Sequence, residues 1–357
     1  MGDGKAPPPG RMNRKPVAFG RKMNHHPRNW LKTTACGLYC EPGDFYIDPV
    51  RAVDRAVISH AHSDHARPGH KAVLATEATL TLMRTRMGTQ AGMSRQPLGY
   101  DEPLRLGEVT LTLHPAGHIL GSAQIAMEYR GARAIVSGDY KRQADPTCAP
   151  FAAHPCDVFV TEATFALPVF QHPDTAGEIA KLLNSVALFP ERTHLVGCYA
   201  LGKCQRLIAE LRRAGYDRPI YLHGAHMPLC ETYQNLGIQL GELLPATVAA
   251  SPRLQGAIVL APFSAIADRW ARRLDDPVAC MASGWMRVRQ RAKAAGIELP
   301  LIISDHADWN GLVATIREVG APEVWVTHGA EEALIHAARG MGINARALRL
   351  AGYEDEE

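Results

Sequence analysis

No C-x-x-C pair occurs among the eight cysteines, Cys36, Cys40, Cys148, Cys156, Cys198, Cys204, Cys230 and Cys280, and a chain of 357 residues is too long to need disulfide staples. The spacing predicts thiols that act mostly as small buried hydrophobes in a reducing compartment. No run approaches the roughly 18–20 apolar residues of a membrane span. The first residues lack the apolar core of a secretory leader and carry Pro and basic residues in its place, so the chain reads as cytoplasmic. No fixed-period repeat is visible, and 31 Gly and 25 Pro are near average usage, which excludes fibrous and low-complexity classes.

What is present is a 46% apolar content, ample for a packed core, with 21% charged residues and a formal net charge of +3. At about 100–200 residues per domain, the length fits two domains, or one large domain carrying an insertion. Charge is uneven: residues 1–32 hold eight Lys or Arg against Asp3 alone, whereas the remainder is net −4. Residues 1–31 read as a basic, flexible arm able to follow phosphates, although a solvated tail with no partner fits the charge equally well.

Alternating and short apolar segments predict strands at Gly37–Tyr39, Asp44–Ile47, Arg55–Ser59, Val109–Leu113, Ala123–Tyr129, Ala132–Ser137 and Val158–Thr161, with one helix at Thr76–Met87. After about Thr164 strands alternate with helices, the signature of βαβ units and a parallel sheet. Helices are predicted at Thr175–Leu188, Gly202–Ala214, Leu229–Leu236 and Met286–Ala295, and strands at His194–Cys198, Ile220–Leu222, Ala257–Leu260 and Val278–Ala282. The end of the chain repeats the pattern with strands Leu301–Ser304, Glu323–Thr327 and Arg346–Leu350 around helices Trp309–Val319 and Glu331–Met341. The expectation is a sheet-rich domain, an α/β insertion, and a return to the first domain.

The most informative stretch is His60-Ala61-His62-Ser63-Asp64-His65, directly after an apolar strand. Alternate residues of a strand share a face, so His60 and His62 can converge on one ion while the following turn aims Asp64 and His65 at a second. Such nitrogen and oxygen sets suit borderline divalent metals. His118, Asp139 and His328 each follow an apolar strand beside a glycine, where backbone can approach closely.

These residues resemble the H-x-H-x-D-H motif of metallo-β-lactamase-fold hydrolases. Glu162 in Val160-Thr161-Glu162, His306 in Ser304-Asp305-His306-Ala307-Asp308, His328 in Val326-Thr327-His328-Gly329, and Tyr199-Ala200-Leu201-Gly202-Lys203-Cys204-Gln205 resemble further motifs of the β-CASP nucleases. Within that group the chain from Lys32 to Leu350 is most similar to bacterial DNA ligase-associated DNA exonucleases. The resemblance implies an αββα sandwich over 32–164 and 300–352, with an α/β β-CASP insertion over 165–299. It also implies two divalent metal ions, Zn or Mn. His60, His62 and His118 would hold one, Asp64, His65 and His328 the other, with Asp139 bridging and Asp48 orienting a ligand. The implied function is hydrolysis of phosphodiester bonds, as a 5′ exonuclease on single-stranded DNA in DNA repair, alongside a DNA ligase and a helicase.

Protonation of the leaving alkoxide needs an acid, and His306 held by Glu162 is the candidate. Lys141, Arg142, Lys203 at a helix start, and Ser283 at a strand end are candidate phosphate contacts. His223 and His226 could line the same cleft and are read as structural. Two other functions stay open on the residues alone: an RNA-processing β-CASP ribonuclease, since no ligand reports on the 2′-hydroxyl, and a small-molecule metallo-hydrolase, against which the insertion argues.

Overall fold

The computed structural model describes residues 25–246 and 254–350, so residues 1–24 of the expected arm and the acidic tail Glu354–Glu357 lie outside the described residues. The packed structure begins before Lys32: Arg28 donates to Glu323 at 2.6 Å and Trp30 is buried. The arm boundary therefore moves toward the N-terminus, because an aromatic anchor follows the basic run.

Two mixed sheets come first. One runs in spatial order through β1 (Leu31–Thr34), β2 (Gly37–Cys40), β3 (Phe45–Ile47), β4 (Arg55–Val57), β5 (Ala72–Ala75) and β6 (Ser94–Pro97). Helix α1 (Glu77–Met87), capped by Thr76, joins β5 to β6. The second sheet takes β7 (Leu104–Leu106), β8 (Val109–Pro115), β9 (Ala123–Tyr129), β10 (Ala132–Val136) and β11 (Val158–Ala163). Period-two alternation decides which side chains meet: Val158 and Val160 face Leu38, Ile47 and Val57 between the sheets, while Phe159 faces the outer side.

After α2 (Thr175–Leu188) the chain builds a third, wholly parallel sheet. It comprises β12 (His194–Gly197), α3 (Lys203–Arg213), β13 (Ile220–Leu222), α4 (Met227–Asn235), β14 (Leu243–Pro245), β15 (Ile258–Ala261), α5 (Phe263–Ile266), β16 (Val278–Ala282), α6 (Arg289–Ala294) and β17 (Leu299–Leu301). The order is β14-β13-β15-β12-β16-β17, with β12 in the interior. The chain then returns through α7 (Trp309–Val319), β18 (Glu323–Gly329), α8 (Glu331–Gly340) and β19 (Asn344–Ala347), and β18 inserts beside β11 in parallel register. Helices α7 and α8 cover the outer face of the second sheet, and α1 covers that of the first.

Three expectations shift. The strand foreseen at Leu301–Ser304 is instead Leu299–Leu301, paired with β16, so the third sheet extends past residue 299. The foreseen helix Met286–Ala295 is broken at Val288, whose backbone is extended, into a 3-10 turn Gly284–Arg287 and α6. The last strand lies at Asn344–Ala347, where it pairs with β18, rather than at Arg346–Leu350. Among the described residues no helix is long and apolar enough to cross a membrane.

Candidate metal centre

Strands β8, β10, β11 and β18 run in one direction, with only β9 opposed between β8 and β10, so their carboxyl ends share one rim. That rim carries His118 after β8, Asp139 after β10, Glu162 in β11 and His328 in β18, and the loop after β4 brings His60–His65 to it. Two backbone devices allow the approach. Gly138 has φ +55 and a Cβ there would lie 2.8 Å from Ser59 Cβ, while a Cβ on Gly329 would lie 2.3 Å from the Ala163 carbonyl oxygen. His328 itself takes φ 58, a left-handed conformation that an imidazole-bearing residue adopts at a cost.

Proton positions on the imidazoles follow from their fixed partners. Ser59 Oγ gives its proton to Asp48 Oδ2, so at 3.0 Å from His60 Nδ1 it must accept. The carbonyls of Leu201 and Asp305 only accept, and they take His62 Nε2–H at 3.1 Å and His118 Nδ1–H at 2.7 Å. The remaining nitrogens therefore carry lone pairs, and these face one another. His62 Nδ1 lies 3.1 Å from His60 Nε2 and 2.9 Å from His118 Nε2. Asp139 Oδ2 closes the group at 3.4 Å from His60 Nε2 and 3.7 Å from His118 Nε2. Burial pushes the His60 and His118 imidazoles well below their usual range, so extra protons do not relieve the crowding. Ligands about 2.0–2.1 Å from a tetrahedral zinc ion stand roughly 3.3 Å apart. The donor set fits such a cation.

A second group adjoins it. Asp48 Oδ2 lies 2.8 Å from His65 Nδ1 and turns His65 Nε2 toward Asp139 Oδ2 and Asp64 Oδ2, at 3.4 and 3.5 Å. His328 Nδ1 stands 3.9 Å from Asp139 Oδ1. Burial would raise the Asp139 carboxyl, but the neighbouring His65, His306 and His328 imidazoles hold it well below the usual carboxylate range. Asp139 Oδ2 thus faces both the first group and His65, while Oδ1 faces His328.

Beside both groups His306 Nδ1 lies 2.9 Å from Glu162 Oε2, while Glu162 Oε1 accepts the Tyr140 amide at 2.8 Å. Burial lowers the His306 imidazole, yet the Glu162 and Asp139 carboxylates outweigh it and raise it to about 9. Its ring centroid is 4.7 Å from that of His118.

The four candidate phosphate contacts are committed within the protein. Lys141 is 1% exposed and bonded to Asp145 at 2.5 Å and to the His118 carbonyl at 3.0 Å. Lys203 is buried against Asp305 at 2.9 Å. Arg142 forks onto Glu318 and reaches Thr315. Ser283 Oγ caps the turn that carries Trp285, whose ring lies tilted against Phe165 with centroids 4.7 Å apart. Residues that sequence reading passed over instead shape the site. Asp305 orients His118 through its carbonyl and pairs with Lys203 and Arg206 through its carboxylate, and Leu201 fixes His62 through its carbonyl. Both fall inside motif stretches, Asp305 in Ser304-Asp305-His306 and Leu201 just before Gly202-Lys203, but a role played through a backbone carbonyl leaves no mark in a side-chain pattern.

These features define a mixed α/β protein with a histidine- and carboxylate-rich centre suited to divalent metal. No family model matches the chain. It is 28% identical to a probable DNA ligase of Opitutus terrae over 89% of this chain and 31% of the ligase. It is 24% identical to an RNase J-like protein of Methanocaldococcus jannaschii, over 82% of this chain and 86% of that protein. It is 27% identical to ribonuclease TTHA0252 of Thermus thermophilus, over 53% of this chain and 47% of that enzyme. The chain thus spans about a third of the ligase and about half of the Thermus ribonuclease. A solved structure of a protein of unknown function from Enterococcus faecalis shares the fold, with a TM-score of 0.57 at 13% identity over 85% of this chain and 80% of that one. The chain is thus similar to ribonucleases and to a DNA ligase, in line with the motif resemblance to β-CASP nucleases of the metallo-β-lactamase superfamily.

Proposed function

We propose that the protein is a divalent-metal-dependent DNA nuclease, a 5′ exonuclease on single-stranded DNA that serves DNA repair in the cytoplasm together with a DNA ligase and a helicase. In this reading the first two sheets, with the chain after β17, form the αββα catalytic sandwich, and the third sheet with its helices is the β-CASP insertion that covers its rim. The observation that carries the proposal is the meeting of three imidazole lone pairs and Asp139 beside the His306–Glu162 pair. The DNA ligase relative, aligned over 89% of this chain, favours DNA as substrate and a ligase as partner.

His60, His62, His118 and Asp139 would hold one ion, and Asp139, Asp64, His65 and His328 a second, as Zn or Mn. When bound, such ions lower the pKa of a shared water and neutralise charge that builds at phosphorus. Asp48 keeps His65 in the tautomer that presents Nε2, and Asp305 and Leu201 do the same for His118 and His62. His306 carries the proton the leaving alkoxide oxygen requires, and Glu162 holds the opposite edge of its ring. Lys141, Arg142, Lys203 and Ser283 then act by supporting the site's walls.

The test is digestion of single- and double-stranded DNA, labelled at either end, with Zn, Mn and Mg in turn and Asp64→Ala as control. Stepwise loss from the 5′ end of single strands, absent in Asp64→Ala, is the expected result. Inertness toward every polynucleotide, with turnover of a thioester or lactam panel, would overturn it. RNA is the second reading, favoured by the RNase J-like relative that aligns over 86% of its own length. Matched RNA oligonucleotides in the same assay decide between the two.

A further inference from the structure

Behind the loop that fixes His62 lies a second cluster of soft donors. Cys198 directly follows β12, Cys204 sits in the first turn of α3, His226 is the N-cap of α4, and Cys230 follows His226 by one helical turn on the same face. All four are 0% exposed. Ligand atoms of Cys198, Cys204 and His226 lie within 4.8 Å of one another, and Cys230 Sγ lies 3.8 Å from Cys204 Sγ. Neither ring nitrogen of His226 has a hydrogen-bond partner in the structure. A buried imidazole left this way is destabilising, a penalty that a coordinate bond would remove.

Cys230 Sγ also accepts an N–H bond from Gln205 Nε2 at 3.2 Å, an arrangement that favours a thiolate there. The amino ends of α3 and α4 face the cluster and add positive potential. Sulfurs about 2.3 Å from a tetrahedral zinc ion stand roughly 3.8 Å apart, which matches the Cys204–Cys230 spacing.

We propose that Cys198, Cys204, Cys230 and His226 form a closed structural site for one zinc ion, separate from the histidine-rich centre. Binding sends the thiol protons to solvent and ties the end of β12 to the starts of α3 and α4. The loop between Cys198 and Cys204 includes Leu201, whose carbonyl orients His62, so this ion would steady that contact without touching substrate.

The test uses the intact protein, stripped of metal under reducing conditions and reloaded with Co(II). The histidine-rich centre contains no sulfur, so a near-ultraviolet thiolate-to-cobalt charge-transfer band reports this cluster alone. The band should appear in the wild-type protein, persist in Asp139→Ala, and be lost in Cys198→Ser. Absence of the band from cobalt-loaded wild-type protein overturns the proposal, as does a peptide mass map of the untreated protein that finds Cys204 joined to Cys230 in a disulfide. The wild-type spectrum and mass map decide the matter even if Cys198→Ser is insoluble.

Discussion

Asp48 illustrates how much one side chain decides. Its two oxygens take the Ser59 amide at 2.7 Å, the Ser59 hydroxyl, and His65 Nδ1 at 2.8 Å. Through Ser59 it also sets the tautomer of His60. Asp48→Ala should therefore weaken metal affinity about 10–100-fold while leaving the fold intact, measured by competition with a chromophoric chelator. Unchanged affinity would remove Asp48 from the centre. His306→Ala should retain metal in the same assay yet slow hydrolysis by about 10²–10⁴, the usual worth of a positioned acid. Loss of metal from that variant would reassign His306 as a ligand. At this scale the sequence was most legible where ligands sit together, as in His60–His65, or follow strands, as do His118, Asp139 and His328. Lys141 and Lys203 could not be told from surface lysines, because burial against Asp145 and Asp305 is a tertiary fact.

Between elements, the junction of α3 with the chain after β17 rests on buried charge. Asp305 pairs with Lys203 at 2.9 Å and Arg206 at 3.1 Å, and Lys141 approaches at 3.7 Å. Burial would raise the Asp305 carboxyl, but Lys203, Lys141 and Arg206 hold it well below the usual range. Asp305→Ala leaves three buried cations against Asp145 and should lower unfolding free energy by roughly 3–5 kcal/mol in urea titration. A loss below about 1 kcal/mol would mean that water reaches the junction. The elements themselves were readable where apolar runs have a clear period, as in β8 to β11 and α7. Strand β6 was not: Ser94–Pro97 is fully exposed, so it carries no hydrophobic alternation and owes its existence to pairing with β5. The boundary near residue 299 was misread for a related reason. Leu299–Leu301 and the residues after it form one apolar run, and only pairing with β16 assigns its start to the third sheet.

For the molecule as a whole, charge separates from chemistry. Six of the basic residues, Lys5, Arg11, Arg14, Lys15, Arg21 and Lys22, precede the described structure, while the rest of the chain beyond residue 32 is net negative. Removing residues 1–24 should weaken binding to single-stranded DNA and reduce the slope of log affinity against log salt by up to about 4, at about 0.7 per phosphate contact. The hydrolytic rate at saturating substrate should stay the same. An unaltered salt slope would make the arm a bystander.

The carbonyl of Leu201, supplied from beyond β12, dictates which nitrogen His62 offers on the opposite side of the cleft. A segment remote in sequence from every ligand of the histidine-rich centre therefore fixes the form of His62 that a cation needs, so shortening the loop around Leu201 should weaken metal binding there with every donor side chain intact.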